Sequence, residues 1–196
     1  MWIPQLADLS DRFTVIAWDA PGAGQSSDPP AGFAIGDWAD TFAAVLDAET
    51  ISHADVVGLS WAKHRLAACI RGSSLPARDL VTQYLPGMFS DHPPPELRDC
   101  LAAIMSDTHP AGFRLMATAL SEGDTRDLLP RIKAPTLLIW GDADKRAPMN
   151  IAHQLESAIL AAELVVLPGV GHVSNLEAPA AFNATLREFL LAHSES

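Results

Sequence analysis

Apolar and polar positions along this chain repeat with two different periods, and the change of period divides it into three stretches. Residues 13–19 (FTVIAWD) make a short β-rich apolar run ending at Asp19 and Pro21. The turn that follows, PGAGQSSDPP, is too rich in glycine and proline for a helix or strand to cross. Residues 37–48 (DWADTFAAVLDA) set Trp38, Phe42, Val45 and Leu46 on one helical stripe, with Asp37 available as N-cap. A second apolar run at 54–59 (ADVVGL) completes a strand, helix, strand unit. The same alternation resumes late. It gives a strand at 135–141 (PTLLIWG), a helix over about 150–160, a strand at 163–167 (ELVVL), and a closing helix over about 178–192 carrying Phe182, Leu186, Phe189 and Leu190. Strands alternating with helices predict an α/β fold, a mostly parallel sheet covered by helices.

Between these halves, residues 62–129 carry helix-like segments at 97–105 and 112–120, punctuated by SSLP, LPG and HPPP. No strand pattern lies there, so the stretch reads as a helical insertion or cap with loops at 72–77 and 92–95.

At 196 residues the chain is long enough for one domain with a real core. A formal net charge of −11, with no Lys/Arg cluster, excludes nucleic acid and anionic membrane surfaces as expected partners. Two cysteines, Cys69 and Cys100, lack metal-ligand spacing and are expected to be reduced and buried in a cytoplasmic protein. The sequence shows neither a basic leader with an apolar run nor an uncharged stretch of bilayer-spanning length.

Chemistry concentrates after three of the predicted strands. Gly58-Leu59-Ser60-Trp61-Ala62 is a G-x-S-x-A pattern at the end of an apolar run and the start of a helical one. A nucleophilic serine needs such a sharp turn, so that its Oγ projects and the next residue's N–H can face an oxyanion. A helix-capping serine is the plainer use of the same residues. Asp144, in GDADKRAP, follows one late strand, and His172, in PGVGHVSN, follows the other. In a parallel sheet these C-terminal strand ends share one edge, where catalytic groups gather. The chain order Ser, Asp, His is that of α/β-hydrolases. A serine of ordinary acidity requires a base such as His172, with Asp144 orienting the ring. Asp142 competes with Asp144, but its place directly after the strand suits a carboxylate that binds loop amides. His53, His64, His92, His109, His153 and His193 read as surface or cap residues, and Asn175 and Glu177 as ordering the turn after His172.

The segments DAPGAGQSS, VVGLSWA, LLPRIKAPTLLIWGDAD and LPGVGHVSNLEAPAAFN resemble the α/β-hydrolase fold family, in particular its 3-oxoadipate enol-lactonase-like and carboxylesterase-like members. The resemblance implies a hydrolase core over residues 1–62 and 128–196 and a helical cap over 63–127. It implies Ser60 as nucleophile, Asp144 as acid, His172 as base and the N–H of Trp61 as an oxyanion donor. The activity implied is hydrolysis of small esters or lactones with no metal and no organic cofactor. Met88, Phe89, Met105, Phe113 and Met116 are candidates to line the acyl pocket, although core packing is the commoner use of each.

The chain also departs from the family pattern. It begins after the early strand and His-Gly loop that supply the second oxyanion donor, and cap-like sequence follows the serine turn almost directly, as an internal deletion would leave it. In the family's sheet, lost strands separate 13–19 from 54–59 and 54–59 from 135–141. Unless the remaining strands close up, bare edges remain. A catalytically impaired or inactive relative that binds a ligand or partner, or a truncated product without a function of its own, is the competing reading. A dehalogenase or epoxide hydrolase would carry an Asp in place of Ser60. Open edges also predict a homo-oligomer, which sedimentation at micromolar concentration would reveal as mass above that of the monomer; a stable monomer would contradict it.

Overall fold

The computed structural model describes residues 1–60, 81, 85–107 and 109–193. Its elements in chain order are α1 (Ile3–Leu9), α2 (Ile35–Ala48), α3 (Pro95–Ser106), α4 (Pro110–Glu122), a 3-10 turn (Leu129–Arg131), β1 (Thr136–Gly141), α5 (Met149–Ala158), β2 (Ala162–Leu167), α6 (Ser174–Glu177) and α7 (Pro179–His193). They fall into two units, one of Met1–Ala17, Thr82–Ala103 and Thr125–Ser196, the other of Trp18–Val81 and Ile104–Asp124.

The first unit contains a βαβ motif. β1 and β2 pair in parallel, from Thr136 opposite Ala162 to Gly141 opposite Leu167, with α5 as the crossover. Parallel neighbours need such a crossover because the chain must return to the same sheet end. α7 closes the unit because Phe182, Leu186 and Leu190 recur every four residues and share one face. Together with Leu9, Leu167 and Val170 they form the core, and Trp2, Phe13, Val15, Ile139 and Val165 pack against it. Each fully buried side chain of this size stabilises the fold by about 1.5–3 kcal/mol.

A buried amide cluster ties α1 to this core. Gln5 Nε2 donates to Asn183 Oδ1 at 2.8 Å and to the Asn175 carbonyl at 3.0 Å, and Asn183 Nδ2 donates to the Pro4 carbonyl at 3.2 Å. Buried amides are tolerated only when such partners are present. Outside the core, the Arg187 guanidinium grips Asp8 and Asp11.

In the second unit the glycine-rich turn wraps the Asp19 carboxylate, which accepts the Gln25 N–H at 3.0 Å. Gly24, at φ +54°, lies against that carboxylate, and Gly22, at φ +82°, lies against the backbone of Gly112 on α4. A side chain at either glycine would collide, and the positive φ also favours glycine. α2 begins two residues before the expected start. Asp37 lies inside its first turn and reaches back to accept the Ala34 N–H at 2.7 Å, so it serves the helix end from within. The α2 stripe is half-buried, with Trp38 edge-on to Phe33 and Phe42 against Trp18.

Two strand expectations fail. Among the described residues one ladder exists, that of β1 and β2, and neither 13–19 nor 54–59 joins it. Both runs have strand composition, yet a strand is stable only beside a hydrogen-bonding neighbour. Ile16, Val56 and Val57 remain 49%, 69% and 42% exposed as a result. Cys100 is likewise exposed where burial was expected, because the inward position on α3 belongs to its neighbour Leu101. Cys69, the loop at 72–77 and the first part of the proposed cap lie outside the described residues. No described helix is long and apolar enough to cross a membrane.

Candidate active site

The loops after β1 and β2 are zipped together before any catalytic geometry arises. Asp142 N–H donates to the Leu167 carbonyl at 3.2 Å, and Ala143 N–H to the Val170 carbonyl at 3.0 Å. The Asp142 carboxylate accepts the Gly169 N–H at 2.6 Å. Gly141 permits this crossing, since a Cβ there would strike the carbonyls of Val170 and Gly171.

This frame carries Asp144 and His172 to each other. Asp144 Oδ1 accepts the N–H groups of Arg146 at 2.7 Å and Ala147 at 2.9 Å, which leaves Oδ2 to meet His172 Nδ1 at 2.7 Å. The two side chains are only 5% and 7% exposed. An ionised carboxylate can only accept, so the shared proton belongs to Nδ1, and in the neutral form of the ring the lone pair is on Nε2. Trp140 Nε1 braces the loop by donating to the Ala147 carbonyl at 2.7 Å.

The Asp144 carboxyl is held below its ordinary value of 3.8. Burial pushes it upward, but the His172 hydrogen bond, the Ala147 amide, the attraction of the imidazolium and the Arg146 amide together outweigh burial. The group therefore stays ionised to a lower pH than an ordinary aspartate does.

Ser60 belongs to the second unit, at the end of the apolar run 54–59. Its φ is +67°, in the left-handed region that only a few per cent of non-glycine residues adopt. Such a backbone suits a serine projected from a tight turn.

The other sequence candidates fall in both units. Met88 and Phe89 lie in the first unit. Met88 takes a 3.2 Å contact on its sulfur from the Arg146 guanidinium, and Phe89 is 5% exposed. Met105, in the last turn of α3, and Phe113 and Met116, on α4, are half-buried and belong to the second unit. A groove in that unit runs between residues 32–35 and Leu115, Thr118, Ala119 and Glu122, and none of the three lines it. Trp61 lies outside the described residues. Among the described residues no group of His, Cys, Asp and Glu is placed to hold a metal ion. Sequence reading missed the two loop amides on Asp144, because backbone donors leave no residue-type signature.

A family model described as the alpha/beta hydrolase family matches residues 1–185. The chain belongs to the alpha/beta hydrolase family. This alpha/beta hydrolase is 27% identical to 3-oxoadipate enol-lactonase 2 of Acinetobacter baylyi, over 93% of this chain and 80% of that protein. The alignment runs over 218 positions, more than the chain's 196, so the relative carries positions without a counterpart here. Among solved structures, the enol-lactonase of Burkholderia xenovorans matches with a TM-score of 0.88 at 24% identity, covering 97% of this chain and 85% of that one. An esterase of Exiguobacterium antarcticum also gives 0.88, at 20% identity over 96% and 86%. These two likenesses establish the fold alone.

The depressed Asp144 pKa sets a pH dependence. Because the folded value lies below the unfolded one, its stabilisation is complete at pH well above 3.8 and is lost as pH falls through the lower folded value. Asp144→Asn should lack this acid-limb component when denaturation is followed against pH. Asp144→Ala, which orphans His172 Nδ1 and two amides, should cost about 3 kcal/mol at neutral pH.

Proposed function

We propose that this alpha/beta hydrolase is a serine hydrolase of small carboxylic esters or lactones, working through an acyl-enzyme on Ser60. The observation that carries the reading is the buried His172–Asp144 hydrogen bond, which fixes the orientation of the imidazole and places the proton on Nδ1, so that in the neutral ring the lone pair is on Nε2. The left-handed backbone of Ser60 supports its assignment as the nucleophile.

In this mechanism His172 Nε2 takes the Ser60 hydroxyl proton as Oγ bonds to the acyl carbon. The carbonyl π electrons move to oxygen, and the tetrahedral oxyanion is met by the N–H assigned to Trp61. When the oxyanion re-forms the carbonyl, the bond to the alcohol oxygen breaks and that oxygen takes the proton from His172. A water molecule then repeats both steps to release the acid and restore Ser60. Asp144 stabilises the imidazolium in each half. A lactone follows the same path, except that acid and alcohol remain in one molecule. Met88, Phe89, Met105, Phe113 and Met116, with the cap over 63–127, are proposed to shape the acyl pocket.

A second reading, a family member that binds without turnover, draws on the bare run before Ser60. Val56 and Val57 are exposed, and no described ladder braces the serine turn.

Turnover and labelling separate the two readings. A p-nitrophenyl ester should give a burst of p-nitrophenolate, and a fluorophosphonate should label Ser60. His172→Ala should lower kcat/KM on the order of a thousandfold or more and abolish labelling. A folded sample that neither turns over nor labels would favour the binding reading.

A further inference from the structure

Glu177 is not consumed by the turn in which it sits. That turn is closed by backbone bonds from Leu176 and Glu177 to the Val173 carbonyl and from Ala178 to the Ser174 carbonyl. The Glu177 carboxylate points elsewhere and spans two segments. Its Oε2 accepts the Gly171 N–H at 2.8 Å, next to His172. The same carboxylate accepts the Ser90 N–H, at 3.1 Å to Oε1 and 3.2 Å to Oε2, and the Ser90 hydroxyl donates to Oε1. Three donors from two segments far apart in sequence therefore converge on one side chain. Gly171 lies so close to the backbone of Phe89 and Ser90 that a Cβ there would overlap both. On the other side of His172, Val173 N–H donates to the Met88 carbonyl at 2.9 Å. Both neighbours of the imidazole-bearing residue are thus fixed to residues 88–90.

We propose that Glu177 is a positioning residue: by bridging Gly171 to Ser90 it fixes the backbone from which His172 reaches Asp144. The proposal rests on the reading of His172 as the base. A hydrogen bond of 2.7 Å between two buried groups tolerates little displacement of either, and a carboxylate that accepts several charge-assisted bonds is a strong anchor. A glutamine of the same length would present an NH2 group where the site needs an acceptor, so at least one of the three donors would lose its partner.

The test compares the full chain with its Glu177→Gln and Ser90→Ala variants. The low-field NMR resonance of the His172 Nδ1 proton, assigned by its absence in His172→Ala, is read beside the rate of Ser60 labelling by a fluorophosphonate. Glu177→Gln should shift or broaden that resonance and slow labelling about tenfold, the scale of one lost charged hydrogen bond. Ser90→Ala, which removes only the hydroxyl donor, should give a smaller change of the same sign, and it carries the test if Glu177→Gln does not fold. An unchanged resonance and rate in folded variants would overturn the proposal. If the parent chain is never labelled, the assignment of Ser60 fails, and the resonance alone decides for Glu177: its perturbation supports the bridge and its persistence overturns it.

Discussion

The bond between His172 Nδ1 and Asp144 Oδ2 is the constraint on which the functional reading of this chain depends. Two loops from neighbouring parallel strands must end at one place for it to form, and both side chains must leave water. Neither requirement comes from the pair itself. The β1–β2 register sets the strand ends level, Gly141 lets one loop cross the other, and the Asp142 carboxylate fastens the crossing. Burial would disfavour the Asp144 charge, so two loop amides and the imidazole hold it ionised. The fold thus holds the imidazole proton on Nδ1, which puts the lone pair of the neutral ring on Nε2.

The same physics explains which elements were legible in the sequence. β1, β2, α5 and α7 were readable because their apolar periods match a sheet and helices that pack on each other in the final structure. The runs at 13–19 and 54–59 have equally strand-like composition, yet they form no ladder among the described residues. Strand composition is a property of the segment, whereas a strand is a property of a pair. The enol-lactonase alignment is longer than this chain, so that relative carries positions without a counterpart here. Exposed Val56 and Val57 are what such a segment looks like when no strand among the described residues pairs with it.

The candidate site was legible to a similar depth. Asp144 and His172 could be placed together because each follows a strand, and parallel strands end on one edge. Asp142 could be set aside for Asp144 because its position suits amide binding, and it does bind the Gly169 amide. Cys100 misled because composition favours buried cysteine, while its place on α3 is decided by Leu101. The reach of Glu177 to Ser90 was hidden for a different reason. Its partner is 87 residues away, and nothing in the local pattern names it.

The most direct measurement is a crystal structure of the chain after reaction with a phosphonate ester. Phosphorus bonded to Ser60 Oγ, with His172 Nδ1 still donating to Asp144 and Nε2 turned toward the adduct, is the expected result. Phosphorus on another side chain, or a His172 ring parted from Asp144, would contradict it.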